Sequence, residues 1–230
     1  MSKRTEARMR RQRRKQRQQL TLVIVALGIV GIIVAIFVLP YLQPIGEIIT
    51  PELVERPMVD GYALGDPNAP VVLEEFSDYQ CSFCRKFSVE TEPSLVEEYV
   101  TSGQLHIVFK NFLFYESSRP FVEAAFCATE QDKFWEYHDI LYANQSSSDP
   151  NKYSKRRLEA YAEIVGLDVD SFSECLDDNR HEEEIQQIRL EAENAGINVT
   201  PTFLINGKKI EGAQPLEYFQ QEIEAALTGR

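Results

Sequence analysis

The chain has 230 residues, a net charge of −12 and four cysteines. Its first nineteen residues contain nine Lys or Arg and one Glu, so they carry +8 while the rest of the chain carries −20. No internal repeat is visible, and apart from the basic N-terminus there is no low-complexity tract. These features exclude a repeat array and favour one folded domain of about 170 residues with an N-terminal attachment.

An uncharged apolar stretch follows the basic residues. Residues 20–39 contain no charged side chain, Thr21 is the one polar residue among them, and Pro40 comes directly after. Twenty such residues are long enough to cross a bilayer as a helix. A cleaved signal peptide is the competing interpretation, but its apolar region is usually shorter, and no small-residue cleavage site follows Phe37. We therefore predict a transmembrane anchor at 20–39.

The basic residues orient this anchor. Positive charge directly before an apolar span is typical of the cytoplasmic side, so residues 1–19 are expected to form a cytoplasmic tail. A nucleic-acid-binding arm is the less simple explanation, and we expect no nucleic-acid partner. The protein would then cross a bacterial-type cytoplasmic membrane once, with everything after Pro40 outside, where disulfides persist.

Four prolines, at positions 40, 44, 51 and 57, occur in the next twenty-two residues. This density predicts an extracytoplasmic stalk over 40–61, which leaves 62–230 as the folded domain. If extended, the stalk would reach at most about 70 Å at ~3.3 Å per residue.

A pair of thiols three positions apart follows the first apolar strand of this domain. The run from Val71 to Phe76 predicts a strand, and the apolar spacing from Cys81 to Tyr99 predicts a helix. Cys81 would then lie at the helix N-terminus, where unpaired N–H groups and the helix dipole lower a thiol pKa. We expect Cys81 to be the nucleophile and Cys84 the resolving thiol.

The remaining pattern is a strand, a helical block, a hairpin and a helix. Alternation within 104–112 predicts the strand, and residues from about 117 to 194 show helical patterning throughout. Residues 202–205, the Asn206-Gly207 turn and residues 208–210 predict a hairpin, after which Pro215 opens an amphipathic helix that ends at Leu227. The order is β-α-β, then helices, then β-β-α.

Three segments carry a resemblance to a known family. Val72–Cys84, Cys127–Trp135 and Val199–Gly207 occur in the order of the DsbA-like branch of the thioredoxin superfamily, and the similarity extends over roughly residues 60–228. The resemblance implies an α/β thioredoxin fold with an inserted helical domain at about 115–195, preceded here by one transmembrane helix.

The resemblance also implies two features of a site beside the thiols. A cis Thr200-Pro201 bond would face Cys81 and Cys84, and the Thr200 backbone would pair with an extended substrate. The alternative is that Pro201 simply starts a strand. Glu75 would lie behind the thiols and move their proton, with Lys110 as a candidate charge partner, although Glu75 could instead point to solvent.

Cys127 and Cys175, 48 positions apart, would be joined by a structural disulfide, as in a subset of DsbA-like proteins. Two buried free thiols are the alternative. A four-cysteine zinc site is disfavoured because only one pair has ligand-like spacing and no His is nearby in sequence, so we expect no metal. His106, His138 and His181 are expected to be packing or surface residues.

Together these features predict an enzyme that donates the Cys81–Cys84 disulfide to reduced secreted or membrane proteins during oxidative folding. By analogy with the family, a quinone-linked membrane thiol oxidase of the DsbB or vitamin-K-epoxide-reductase-like type would reoxidise it, and no cofactor is needed. Ser82-Phe83 lacks the histidine of strongly oxidising members, and Leu113 replaces a proline that many relatives have. A disulfide reductase or isomerase, and a non-catalytic metal-delivery or substrate-holding module, are the alternatives.

Overall fold

The computed structural model describes residues 3–42, 45–52, 54–145 and 152–229. Parts of the predicted tail, stalk and helical insertion, at 1–2, 43–44, 53 and 146–151, lie outside the described residues, as does 230. The chain divides into two compact units, Met1–Ile45 and Gly46–Arg230.

The N-terminal unit contains one helix, α1, which spans Lys3–Leu42. Within it Lys15–Ile36 is long and apolar enough to cross a membrane, judged by length and composition, and its most apolar stretch is unburied in this structure. The helix continues for two residues past Pro40, whereas the sequence suggested an end there. A proline removes one backbone donor, and here the backbone keeps its helical path beyond that position.

The second unit is built on a mixed sheet with the order β1-β2-β4-β3-β5-β6. Its strands are β1 (Val59–Asp60), β2 (Ala63–Leu64), β3 (Val71–Ser77), β4 (Leu105–Asn111), β5 (Thr202–Ile205) and β6 (Lys208–Glu211). β3 and β4 are parallel, and the other neighbours are antiparallel. Together with the helices of this unit, this topology confirms the predicted thioredoxin fold.

The apolar spacing suggested one continuous helix between β3 and β4, but the crossover is interrupted. It consists of α2 (Ser82–Glu90), α3 (Glu92–Leu95) and a π-helical turn at Val96–Val100. The break at Thr91 lies next to Pro93, which has no N–H and whose ring obstructs the carbonyl four residues earlier. The break leaves Glu92 fully buried in the first turn of α3.

Five described helices form the insertion between β4 and β5. They are α4 (Arg119–Thr129), α5 (Phe134–Ala143), α6 (Lys155–Ile164), α7 (Val169–Asp178) and α8 (Glu182–Asn194). A disulfide joins Cys127 of α4 to Cys175 of α7, and both cysteines are buried. The last helix, α9 (Leu216–Leu227), begins after Pro215 as predicted.

Aromatic side chains fill the core on one face of the sheet. Phe203 of β5 packs between Phe87 of α2 and Phe219 of α9, with ring centroids 4.4 and 4.8 Å away. Phe109 of β4 instead contacts α5, where His138 lies 4.8 Å away in an aromatic cluster, in agreement with its predicted packing role. Phe109 and Phe203 are both in register with Glu75, so α2, α9 and α5 pack against the same face of the sheet.

The domain begins earlier in the chain than predicted. Residues 46–61 were expected to belong to an extended stalk, but they belong to the second compact unit. Asn144 exchanges hydrogen bonds with the backbone N–H and carbonyl of Ile49, at 2.8 and 2.7 Å. Arg56 is almost completely buried and bonds Glu92 and Asp139. These contacts offset the entropy cost of ordering the segment. Proline density alone does not reveal such contacts.

Candidate active site

Cys81 caps the N-terminus of α2 at the carboxyl end of β3. Its backbone is extended, with φ −77° and ψ 118°, and the first helical residue is Ser82. Arg85 N–H donates to the Cys81 carbonyl at 3.1 Å, which closes the first turn. The strand-to-helix transition therefore lies where the sequence predicted it, and the thiol is next to unpaired helix N–H groups.

The second side of the site comes from the start of β5. The Thr200-Pro201 peptide bond is cis. The Cys81 Sγ lies 3.2 Å from the Thr200 carbonyl oxygen, to which its protonated form donates. The residues that the resemblance assigned to one site are therefore brought together by the fold.

The Cys81 thiol has a strongly lowered pKa. A hydrogen bond from the Cys84 thiol is the largest cause, followed by one from the Thr200 side chain and by the N–H groups of Cys84 and Phe83. Partial burial acts in the opposite direction, and the pKa is lowered to about 6. At neutral pH Cys81 is therefore mostly a thiolate, the form that exchanges disulfides.

Cys84 has the opposite environment. It is completely buried, and burial is the main cause that raises its pKa well above that of a free thiol. The Ser77 hydroxyl is within hydrogen-bonding reach of Cys84 and lowers this pKa by a smaller amount. Phe83, between the two cysteines, is 61% exposed. One thiol of the pair is thus ionised although only 6% exposed, while the other is enclosed and protonated.

Asp78 fixes the loop that carries Cys81, a role that was not predicted from the sequence. One carboxylate oxygen accepts from Gln80 N–H and Ser118 Oγ, and the other accepts from the N–H groups of Phe114 and Tyr115. Burial raises the pKa of Asp78, and these bonds oppose the shift. An Asp shortly before a helix is a common turn residue, so the local signal was present in the sequence.

Glu75 is fully buried, so it does not point to solvent. One of its oxygens accepts from Ser77 Oγ at 2.5 Å, and the other has no hydrogen-bond partner among the described residues. Burial, and next the negative charge of Glu92, raise the pKa of Glu75 well above its usual value. Ser77 therefore lies between the Glu75 carboxyl and the Cys84 thiol.

Lys110 is not the charge partner of Glu75, and this expectation was wrong. It forms ion pairs with Glu74 at 3.3 Å and Glu191 at 3.0 Å. Lys110 is in register with Phe76, and alternate residues of a strand share a face, so Lys110 lies on the Glu74 side of the sheet.

A charged network that acts on Glu75 consists of residues that no pattern in the sequence had singled out. Arg56 bonds one oxygen of Glu92 through Nε and Nη2, at 3.2 and 3.0 Å, and both oxygens of Asp139 at 2.8 Å. Its guanidinium lies 4.7 Å from the Trp135 ring centroid. No sequence motif marks Arg56, because its partners are 36 and 83 positions away.

A protein-family model described as thioredoxin matches residues 58–225. The chain belongs to the thioredoxin family. One relative of this thioredoxin domain is the disulfide bond formation protein D of Bacillus subtilis, which is 25% identical over 184 residues. The alignment covers 76% of this chain and 81% of the relative. Arg56 lies just outside the family match, which begins at residue 58.

Other relatives of the thioredoxin domain are much longer. The Na(+)/H(+) antiporter NhaA 3 of Salinispora tropica is 32% identical over 166 residues, which are 71% of this chain but 24% of the relative. The chain thus spans about a quarter of the length of that relative. Among solved structures, oxidised BdbD of Bacillus subtilis superposes with a TM-score of 0.68 at 24% identity, covering 77% of this chain and 98% of that one. This similarity shows that the two chains share a fold.

Proposed function

We propose that the protein is an extracytoplasmic thiol:disulfide oxidoreductase that donates a Cys81–Cys84 disulfide to reduced secreted or membrane proteins. The observation that supports this most is the contrast between the two sulfurs. The pKa of Cys81 is lowered to about 6, whereas burial raises that of Cys84. A stabilised thiolate favours the reduced enzyme and so makes its disulfide a stronger oxidant.

The exchange needs no group beyond the chain and its substrate. A substrate thiolate attacks Cys81 Sγ, the Cys81–Cys84 bond breaks, and its electron pair passes to Cys84, which takes up a proton. A second substrate thiolate then attacks the substrate sulfur of the mixed disulfide and releases Cys81 as a thiolate. Two electrons have moved from the substrate to the enzyme, and the substrate holds the new disulfide.

Thr200 and Pro201 are the proposed substrate-binding residues. The Thr200 carbonyl lies 3.2 Å from Cys81 Sγ, so a segment paired with this backbone would pass directly over the sulfur. We assign proton transfer to Glu75 because Ser77 connects it to Cys84. The Cys127–Cys175 bond is assigned a structural role, since it joins α4 to α7 inside the insertion.

We further propose that α1 anchors the domain in a cytoplasmic membrane with the basic tail in the cytoplasm. Lys15–Ile36 has the length and composition for this. The anchor would keep the domain near a quinone-linked membrane thiol oxidase, of the DsbB or vitamin-K-epoxide-reductase-like type, that returns Cys81 and Cys84 to the disulfide.

The test is to mix the oxidised protein with a reduced, unfolded protein substrate and to follow the appearance of substrate disulfides. Trapping of free thiols by alkylation in cells then gives the direction of the reaction. A donor has Cys81 and Cys84 mostly oxidised in vivo. Mostly reduced cysteines would contradict the donor role and support a reductase or isomerase. Stoichiometric metal on the reduced protein, without exchange activity, would support a metal-delivery module.

A further inference from the structure

Two carboxylates that are both fully buried, Glu75 and Glu92, interact with each other, and Ser77 connects the first to Cys84. Glu75 and Glu92 have no exposed surface, and each has one oxygen without a hydrogen-bond partner among the described residues. Burying an ionised carboxylate is costly unless it is paired, and two that repel each other do not both stay ionised. The pair therefore holds at least one proton at neutral pH.

The hydrogen bonds decide which member keeps the negative charge. Arg56 donates twice to one oxygen of Glu92, whereas Glu75 accepts one bond, from the Ser77 hydroxyl. Charge-assisted bonds from a guanidinium stabilise the ionised form more than a neutral hydroxyl does. Glu92 is therefore the carboxylate, and the proton stays on Glu75.

Among the other titratable groups around the pair, Asp139 supplies a charge at neutral pH and the rest do not. These groups are Tyr79 from the β3–α2 loop, Cys84 from α2, and His138, Asp139 and Tyr142 from α5. Burial lowers the pKa of His138 and raises those of Tyr79, Tyr142 and Cys84, so all four are neutral. Asp139 shares Arg56 with Glu92.

We propose that Glu92, held by Arg56, is a positioning residue for disulfide exchange that keeps on Glu75 the proton destined for Cys84. This inference rests on the proposed exchange reaction. When the Cys81–Cys84 bond opens, the Ser77 hydroxyl turns from Glu75 to the Cys84 sulfur and passes its hydrogen there, and the Ser77 oxygen takes the proton of Glu75 in exchange. The two substrate thiols release two protons to solvent, one of which returns to Glu75. Through Arg56, the segment that precedes the family match contributes to the proton transfer from Glu75 to Cys84.

The experiment compares two variants that each remove one carboxylate partner of Arg56. Glu92→Gln and Asp139→Asn are made in the full chain with the Cys81–Cys84 disulfide intact, so that the thiols do not titrate. The protonation of Glu75 is followed by infrared difference spectroscopy, with Glu75→Gln used to assign the carboxyl band. The rate of reaction with glutathione is measured against pH for the same proteins.

We expect Glu92→Gln to move the Glu75 titration to lower pH, because a neighbouring negative charge is lost. At a pH above the Glu75 titration midpoints of both proteins, the protonated fraction of Glu75 should be about tenfold smaller in Glu92→Gln than in the wild type. The pH profile of the glutathione reaction should also shift to lower pH. Asp139→Asn should leave the titration close to wild type. Glu92→Asp, which restores the charge, should return it towards the wild-type midpoint.

An unchanged Glu75 titration in Glu92→Gln, or equal shifts in both variants, would overturn the inference. If Glu92→Gln does not fold, the double variant Arg56→Gln with Glu92→Gln replaces it, and a smaller shift to lower pH is expected because Glu92 influences Glu75 more than Arg56 does. A Glu75 titration that moves without any change in the pH profile would also contradict the proton path. Failure of the wild type to exchange disulfides with glutathione contradicts the proposed function instead.

Discussion

The sulfur of Cys81 lies 3.2 Å from the carbonyl oxygen of Thr200, although 119 positions separate the two residues. The contact arises because β3 and β5 are antiparallel neighbours, with Phe76 opposite Thr202. The end of one strand is thereby next to the start of the other. A substrate that pairs with the Thr200 backbone would meet the one active-site thiol that is ionised at neutral pH.

The two cysteines should behave differently in trapping experiments. Cys84→Ser leaves the ionised Cys81 free but removes the resolving thiol, so mixed disulfides with substrates should accumulate. Cys81→Ser leaves a buried thiol and should trap little. Non-reducing gels of cell extracts check this, and equal trapping by both variants would contradict the assignment of Cys81 as nucleophile.

Alkylation of Cys81 in the reduced protein should follow a titration near pH 6, because the pKa of this thiol is lowered to about 6. The rate should fall as pH decreases through this value, since the thiolate reacts and the thiol does not. Thr200→Val removes a side-chain hydrogen bond to the sulfur and should move the midpoint upward. Thr101→Val serves as the control, because the Thr101 hydroxyl donates a hydrogen bond to the Val96 carbonyl.

The same ionisation links the stability of the reduced protein to pH. The pKa of Cys81 is lower in the folded than in the unfolded state, so the stabilisation is fully present above the unfolded value, near 9, and is lost as pH falls towards 6. The reduced protein should therefore lose stability over this window relative to Cys81→Ser. Urea denaturation at several pH values measures the difference, and parallel curves would argue against a lowered Cys81 pKa.

The double variant Cys127→Ser with Cys175→Ser should lose stability but keep its thiol chemistry. The bond closes a loop of 48 residues, for which the chain-entropy model gives about 4 kcal/mol. A lower thermal midpoint with little change in Cys81 alkylation is the expected result. A thermal midpoint equal to that of the wild type would contradict the structural role.

Replacing Phe83 by His should make the disulfide more oxidising. Phe83 is 61% exposed, so the change costs little packing, and an imidazole beside Cys81 can stabilise its thiolate. We expect the potential to rise by at least about 30 mV, or ~1.4 kcal/mol, in equilibrium with glutathione. The wild type should fall between thioredoxin at about −270 mV and DsbA at about −120 mV, and a value at or below thioredoxin would exclude the donor role.

Arg56→Gln should destabilise the domain strongly. Glu92 is fully buried and Asp139 nearly so, and breaking a buried ion pair from one side costs about 3–5 kcal/mol. Arg180→Gln is the control, because its ion pairs with Glu130 and Glu174 are partly exposed to solvent and should be worth about 1 kcal/mol or less. Similar urea midpoints for both variants would show that the Arg56 network is not important for stability.

Local patterns were sufficient to predict most of the elements. Alternation in β4, the Asn206-Gly207 turn and Pro215 before α9 depend on neighbouring residues, and the structure has all three where expected. Pro93 is a local signal for the helix break, which apolar spacing alone does not reveal. The prediction of a stalk was wrong for residues 46–61. Proline density indicates the local backbone preference of a segment, but it does not reveal tertiary contacts such as those of Arg56.

The amino-acid sequence by itself determined the helix-terminal position of Cys81 and the apolar helix before the domain, since each depends on periodicity or on residues within one or two turns. The fold class followed from the resemblance of three segments to a known family. Only the tertiary structure decided that Lys110 pairs with Glu74, that Asp78 holds the active-site loop, and that Arg56 binds Glu92 beside Glu75. These contacts depend on strand register and on side chains tens of positions apart. Burial then turns them into shifts of pKa, which no local pattern encodes.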